Sequence, residues 1–192
     1  MKALTVSVGL AAISTALVAL SMAGPSVRAE AAQAATAPEA TGAAPLTDGQ
    51  ASFEALKKLI GGRWEAPMGG GKTIVDTFQP FAFGSAILAE EWVDGQQITS
   101  TVFYVVGSEL RADHYCDYGN QPRYVAMPST DPSIIDFGFR DATNLDTHPA
   151  HFHTTTWHLV DATHMTQDWH VEGGAKGSSQ IHLEFVRLTS QA

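Results

Sequence analysis

The sequence predicts an all-β protein: an antiparallel up-and-down β-barrel of about ten strands with one short N-terminal helix. About ten short segments alternate in polarity and are rich in β-branched and aromatic residues. Gly, Pro, Asn or Asp separates these segments, and several of the links have hairpin length. Consecutive strands are therefore expected to pair antiparallel, and a meander of this size removes its exposed edges by closing on itself.

The beginning of the chain has the pattern of an export signal. Lys2 precedes an apolar run over residues 3–23, and a Val-Arg-Ala tripeptide ending at Ala29 offers small residues to a signal peptidase. Residues 1–29 are therefore expected to form a signal peptide, which predicts a periplasmic or secreted protein without a membrane span after cleavage. Because the run is longer than a usual signal core, an uncleaved membrane anchor is the alternative.

Two further segments complete the predicted organisation. Residues 30–46 are dominated by Ala, Pro, Thr and Gly and lack large apolar side chains, which predicts a disordered tether. Residues 47–192 have the length of one compact domain with its own core and are predicted to form the barrel. Four apolar residues at helical spacing before a Gly-Gly pair predict the short helix: Phe53, Leu56, Leu59 and Ile60.

The strands are predicted to follow this helix one after another. Their approximate bounds are 63–66, 72–79, 85–93, 97–106, 109–117, 123–127, 134–140, 151–160, 164–172 and 180–188.

Composition excludes several classes of function. The 192 residues include 11 Lys and Arg against 20 Asp and Glu, a net charge of −9, so no basic surface is available for nucleic acid. The chain is 44% hydrophobic and 16% charged, which excludes a disordered polyelectrolyte. Its single cysteine cannot form an internal disulfide, but it can join histidines as one ligand of a metal.

Alternation along the strands predicts which side chains enter the lumen. His114 and Cys116 share a face with Leu110 and Ala112, whereas the intervening residues are mostly charged. By the same count, the side chains of His151 and His153 lie on the face of Trp157, and that of Gln167 lies between those of Met165 and Trp169. The sequence thus predicts an apolar lumen that contains His114, Cys116, His151, His153 and Gln167.

This set of side chains has three interpretations. A buried imidazole needs a partner, and His-x-His with a cysteine predicts a zinc or copper site formed by His114, Cys116, His151 and His153. A hydrogen-bonded polar cluster around ordered water is the alternative. His114 and Cys116 are also a candidate catalytic pair if a neighbouring cation lowers the pKa of the thiol.

Polar residues between strands predict a rim around the mouth of the barrel. Asn120 and Arg123, near a Gly-containing turn, supply more donors than a turn requires and are candidates to grip a carboxylate, phenolate or phosphate. Asn144 lies in a long loop, residues 141–150, which is a candidate lid.

Three stretches resemble known families. Gly62-Arg63-Trp64 after a short helix is similar to the first strand of calycin and lipocalin-type barrels. The string His-Tyr-Cys-Asp-Tyr-Gly-Asn-Gln-Pro-Arg, ending at Arg123, resembles a family of secreted, lipocalin-like bacterial proteins, and the likeness covers most of residues 59–188. That resemblance implies a barrel and export but no activity. His182 is similar in position to the last-strand haem ligand of nitrobindins, which makes haem a further candidate cofactor.

These observations predict an exported barrel that binds a small apolar molecule with a polar or anionic group, its ligand contacts being His114, Cys116, Asn120, Arg123, Asn144 and Gln167. One alternative is a metal- or histidine-assisted isomerase, lyase or hydrolase working in the same lumen. Another is a structural module whose lumen is filled by aromatic side chains.

Overall fold

The computed structural model describes residues 48–188, which form a closed antiparallel barrel of ten strands. The predicted signal peptide and tether lie outside the described residues. A helix, α1 (Asp48–Leu56), and a 3-10 turn (Lys57–Leu59) precede the barrel. Its strands are β1 (Arg63–Pro67), β2 (Thr73–Phe81), β3 (Ala86–Val93), β4 (Gln96–Val106), β5 (Glu109–Tyr115), β6 (Pro122–Ala126), β7 (Ile134–Ala142), β8 (His151–His158), β9 (His164–Gly174) and β10 (Gly177–Leu188).

Each strand pairs with its neighbours in sequence, and pairing of β1 with β10 closes the barrel. The predicted fold class is therefore confirmed. The tight link between β3 and β4 shows why these hairpins form: Asp94 and Gly95 both have positive φ, 52° and 77°, as a two-residue turn with the twist of the strands requires. No helix within residues 48–188 has the length and hydropathy to cross a membrane.

The two ends of the barrel differ. Helix α1 packs against the β4–β5 hairpin so closely that a Cβ at Gly49 would lie 2.4 Å from the carbonyl oxygen of Ser108. We call this the closed end. Because connections alternate between the ends of an up-and-down barrel, the β1–β2, β3–β4, β5–β6, β7–β8 and β9–β10 connections all lie at the opposite, open end.

An aromatic core fills much of the lumen. The ring of Trp157 packs edge-on against Phe103 and Phe78, at centroid distances of 5.1 Å and 6.1 Å. Helix residues Phe53 and Leu56 belong to the same buried cluster. Each such side chain contributes about 1.5–3 kcal/mol when it leaves water, so the core stabilises the closed end.

The barrel wall is irregular between β7 and β8. These strands pair only over residues 134–137 and 155–158, and beyond that point they diverge. Tyr124 of β6 bridges the gap by donating a hydrogen bond from its hydroxyl to the Phe152 carbonyl, 2.7 Å away. The register of β8 against β9 also shifts between Phe152 and Thr154, which makes His153 the extra residue of a β-bulge.

Strand ends differ slightly from the sequence prediction. β5 ends at Tyr115, because the backbone turns there: Gly119 N donates to the carbonyl of Cys116. β10 begins at Gly177, earlier than predicted, because the β9–β10 hairpin continues its pairing through the small residues at its tip.

Candidate functional site

A cavity of about 110 Å³ lies within the open end of the barrel. Its walls are mostly apolar, with carboxyl groups, hydroxyl groups and an imidazole among them. The lining residues are Met68, Ile74, Glu91, Ile98, Thr99, His114, Asp117, Tyr118, Phe152, Trp169, Ile181 and Leu183. The rings of Tyr118 and Phe152 stack in parallel, 5.4 Å apart, and Tyr118 is partly exposed, so this pair borders the mouth.

His114 is the imidazole of this cavity, as the alternation along β5 predicts. Its side chain is 1% exposed and packs against the rings of Phe152 and Trp169. Its Nδ1 lies 2.8 Å from Thr101 Oγ1 in a hydrogen bond, but its Nε2 has no partner among the described residues. Burial lowers the pKa of His114 from 6.5 to about 4, so the ring is neutral at physiological pH.

Two carboxyl groups lie on the lumen face of β2 and β3, directly opposite each other: Asp76 and Glu91. Asp76 is fully buried, and burial, followed by repulsion from Glu91, raises its pKa well above 3.8. Burial also raises the pKa of Glu91 above 4.5, although the hydrogen bond that Thr99 donates to it acts in the opposite direction. A carboxyl group is therefore present beside the cavity, either as a negative carboxylate or as a neutral acid.

Gln167 lies in the lumen, as predicted, but both ends of its amide are occupied. Its Nε2 donates to Asp76 Oδ2 at 2.8 Å, and its Oε1 accepts a hydrogen bond from Trp169 Nε1 at 2.9 Å. The other oxygen of Asp76, Oδ1, is buried without a partner among the described residues. Gln167 therefore positions Asp76 and Trp169 and does not itself line the cavity.

Cys116 is buried at the start of the β5–β6 turn and lies outside the set of residues that line the cavity. Its sulfur accepts a hydrogen bond from the backbone N–H of Tyr118, and burial raises the pKa of the thiol to about 12. A thiol with such a pKa is protonated and a weak nucleophile. The condition for a His114–Cys116 catalytic pair, a thiol whose pKa is lowered by a neighbouring cation, is therefore not met, and Cys116 belongs to the turn.

The two predicted rim asparagines hold loops together. Asn120 is fully buried, and its Nδ2 donates to the carbonyls of His148 and Ala150, at 2.8 and 2.7 Å. Asn144, which has a positive φ of 58°, donates from its Nδ2 to the carbonyl of Gly119. Both amide groups therefore fasten the 141–150 loop to the β5–β6 turn, and neither points a donor into the cavity.

Arg123 is on the outer surface of the barrel, which corrects its predicted role as an anion clamp. It pairs with Asp141, its directly opposed neighbour on β7, through a hydrogen bond from Nε to the carboxylate. Within the described residues, Glu91 and Asp117 line the cavity and no Lys or Arg does. Acidic walls favour a ligand group that donates hydrogen bonds or carries positive charge, rather than the anionic group that the sequence suggested.

Neither His151 nor His153 lines the cavity, so the prediction that they enter the lumen is wrong. His151 lies on the face of β8 opposite to Phe152, and it is only 8% exposed because it packs against Phe139. The bulge at His153 inverts the alternation: Phe152 lies opposite Val171, a buried residue, and His151 lies opposite Glu172. Directly opposed residues share a face, so Phe152 takes the lumen position.

The two histidines nevertheless form a potential metal-binding group with Glu172. One nitrogen from each of His151 and His153 and one carboxylate oxygen of Glu172 lie within 4.8 Å of one another. Among residues 48–188 this is the one such group of three or more His, Cys, Asp or Glu side chains, so the structure does not join His114 or Cys116 to it.

Haem does not fit the lumen. His182 lies on the outer face of β10, where its Nδ1 is 2.6 Å from Asp168 Oδ1 and its Nε2 is 3.4 Å from Glu184 Oε1. The cavity of about 110 Å³ is also well below the roughly 300–1,000 Å³ of sites that enclose drug-sized ligands. Neither the proposed axial ligand nor the space for the macrocycle is present on the lumen side.

Sequence reasoning missed Asp76, Glu91 and Glu172. Asp76 alternates with Ile74 and Phe78, both buried, so a carboxyl group on an apolar strand face was the available indication. Glu91 follows Ala89 on the same kind of face. Glu172 could not be found in this way, because its contact with His153 depends on the bulge.

A comparison of the chain with protein-family models finds no match, and a comparison with curated proteins finds no significant match.

Proposed function

We propose that the protein binds a small molecule in the open-end cavity, with an apolar body and a donor or cationic head placed between Glu91 and His114. The observation that carries this proposal is the unpartnered Nε2 of His114, which is 1% exposed and belongs to a residue lining the cavity. An unpaired buried polar atom costs about 1–3 kcal/mol, and a ligand that bonds to it recovers that free energy.

The cavity sets the size and polarity of this ligand. A volume of about 110 Å³ equals the share of liquid volume of about four waters, which limits the buried part of the ligand to a few heavy atoms. Apolar walls such as Ile98 and Leu183 take the body of the ligand. Glu91 accepts hydrogen bonds from the head, and His114 Nε2 donates or accepts according to its tautomer.

Export and family membership are part of the proposal. The apolar run over residues 3–23 and the Val-Arg-Ala tripeptide support secretion or periplasmic localisation. The resemblance to secreted lipocalin-like bacterial proteins supports a barrel and export, and implies no activity.

Matched four-carbon probes test the proposal. Butan-1-amine, butan-1-ol and butyrate have the same number of carbons and differ in their head group. In titrations followed by NMR of the Trp169 indole N–H, the amine and alcohol are expected to shift the signal, the amine more strongly, and butyrate is not.

Two variants of cavity residues and one control variant test whether the amine binds at this site. Glu91→Gln and His114→Phe should each weaken amine binding at least tenfold, whereas Glu90→Gln should not. Glu90 is the matched control because it is the next carboxylate on β3 and lies on the outer face, where it accepts hydrogen bonds from Gln79 and Gln97. Equal binding of the three probes, or equal loss in Glu90→Gln, contradicts the proposal.

Turnover in the same cavity is a second candidate function. Burial moves the pKa of His114 down and that of Glu91 up, so one cavity holds a neutral base and a carboxyl group that titrates closer to neutral pH. Such a pair suits proton transfer in an isomerase, lyase or hydrolase. Incubation of the protein with a defined mixture of small metabolites, followed by mass spectrometry, should show a component consumed by wild type and not by His114→Phe; no consumption contradicts this candidate.

A further inference from the structure

We propose that His151, His153 and Glu172 bind a divalent transition metal, zinc by preference, on the outer wall of the barrel near its open end. This site is separate from the ligand cavity, because His151 and Glu172 lie on the face of β8 and β9 opposite to that of Phe152 and Val171, and none of the three residues lines the cavity.

The spacing of the ligand atoms fits a tetrahedral centre. His151 Nε2 and His153 Nδ1 are 3.1 Å apart, and His153 Nδ1 is 3.5 Å from Glu172 Oε2. Zn–N and Zn–O bonds of about 2.0–2.2 Å at tetrahedral angles place neighbouring ligand atoms about 3.3–3.5 Å apart. The ligand atoms of all three residues lie within 4.8 Å of one another, so the proposed site requires side-chain movement to bring them to bonding distance of one ion.

The surroundings of His151 prepare it as a ligand. Its Nδ1 lies 2.8 Å from the carbonyl oxygen of Pro149, and since a carbonyl only accepts, Nδ1 must carry the proton and donate it. The lone pair of the neutral ring is then on Nε2, the atom that faces His153. A backbone carbonyl that fixes the tautomer in this way is a common partner of metal-binding histidines.

The ring of His153 is also held in place. Phe139 stacks on the ring of His153, with centroids 4.5 Å apart, and packs against His151 at 5.1 Å. The second oxygen of Glu172 lies 3.8 Å from His170 Nδ1. Without a metal, His153 Nδ1–H donates to His151 Nε2; with one, that proton moves to Nε2 of His153 and both facing nitrogens coordinate the ion.

The three ligand groups favour zinc and leave the bound ion accessible from the outer surface. Two imidazoles and one carboxylate are the ligands of many zinc sites, whereas the soft thiolate that would favour Cu(I) is absent from this group of described residues. His153 and Glu172 are partly exposed, so a fourth position is open to water or to a ligand on the outer surface.

Titration of the metal alone tests the proposal. The full chain, purified without a histidine tag and dialysed against chelator, is titrated with Zn²⁺ by calorimetry and with Co²⁺ by visible absorption. We expect one ion per chain, and a Co²⁺ spectrum with the intense bands of a four-coordinate centre. His153→Ala and Glu172→Gln should weaken Zn²⁺ binding at least tenfold.

His164→Ala is the control, because His164 is an exposed histidine at the other end of the same hairpin. Its affinity for Zn²⁺ should equal that of wild type. Glu172→Gln keeps the proposal testable if His153→Ala does not fold. Absence of Zn²⁺ binding, or equal weakening in His164→Ala and Glu172→Gln, overturns the proposal. Neither result bears on ligand binding at His114, which is measured separately.

Discussion

His114 shows how one residue links burial to function. Its ring is neutral because charging it inside the barrel would lose hydration, and no carboxylate within residues 48–188 bonds to it to compensate. A neutral imidazole with one nitrogen bonded to Thr101 and the other unpartnered offers one directed contact to a ligand. The same burial makes the stability of the protein depend on pH.

The sign of this dependence follows from proton binding. Between pH 6.5 and about 4, His114 is protonated in the unfolded chain but not in the folded one, so unfolding takes up a proton. Wild type should therefore lose stability as the pH falls through this window, by about 3 kcal/mol in total, and no more from His114 below it. In His114→Phe this contribution should vanish. Urea unfolding at pH 7, 5.5 and 4 measures it, and parallel pH profiles for wild type and variant contradict it.

Asp76 should behave in the opposite way. Its folded-state pKa is raised, so the folded protein keeps a proton that the unfolded chain releases as the pH rises above 3.8. The stability contributed by protonated Asp76 is present below that pH and is lost as the pH rises through the folded-state pKa. Asp76→Asn, which mimics the neutral acid, should gain stability relative to wild type with increasing pH. Thermal unfolding at pH 4, 6 and 8 tests this, and a difference that stays constant with pH argues against it.

The residue-scale predictions from sequence succeeded where alternation was regular. On β5, the alternating pattern placed His114 in the lumen correctly, because no bulge interrupts that strand. It could not foresee that Asn120 would bond two backbone carbonyls, since these belong to a loop almost thirty residues away. Contacts of this kind depend on how loops pack, and local sequence does not specify that packing.

At the scale of elements, the bulge in β8 determines which side chains reach the cavity and which form the candidate metal site. One extra residue brings His151 and His153 to Glu172 and turns Phe152 into the cavity. Phe152 and Trp157 are the large apolar residues of this strand, and because the four residues between them are all polar, the sequence does not locate the extra residue. The strand itself was therefore predictable, but the face taken by the side chains before Thr155 was not.

Close packing of Gly173 on the 141–150 loop supports this arrangement. Gly173 has a φ of +70°, and a Cβ there would lie 1.9 Å from the Pro149 carbonyl oxygen, the atom to which His151 donates. Gly173→Ala should therefore destabilise the protein by at least about 2 kcal/mol, from backbone strain and from displacement of that loop. It should also weaken Zn²⁺ binding.

Gly177→Ala provides the control for this substitution. Gly177 has a φ of +84° and open space where the Cβ would stand, so the variant has the backbone strain without the clash. Denaturant unfolding should give a cost of about 1 kcal/mol for Gly177→Ala. Equal costs for the two variants would show that Gly173 does not hold the loop.

For the whole molecule, closure of the barrel divides the lumen into a filled part and a cavity. Helix α1 and the aromatic cluster around Trp157 fill the closed end, and the cavity lies at the open end beside Trp169. The sequence predicted the strand order and the closure, because turn residues and alternation are local. The size of the cavity depends on how all ten strands pack their side chains, and this could not be predicted. A lumen fully filled by aromatic rings, the structural-module alternative, does not agree with this cavity.

The central claim is that the cavity beside His114 and Glu91 binds the head group of a small ligand. Intermolecular nuclear Overhauser effects between bound butan-1-amine and the protein test it most directly, because they locate the probe. We expect contacts from the amine to the ring protons of His114 and the indole of Trp169, and their loss in Glu91→Gln. Contacts confined to residues on the outer surface, with none to either ring, would contradict it.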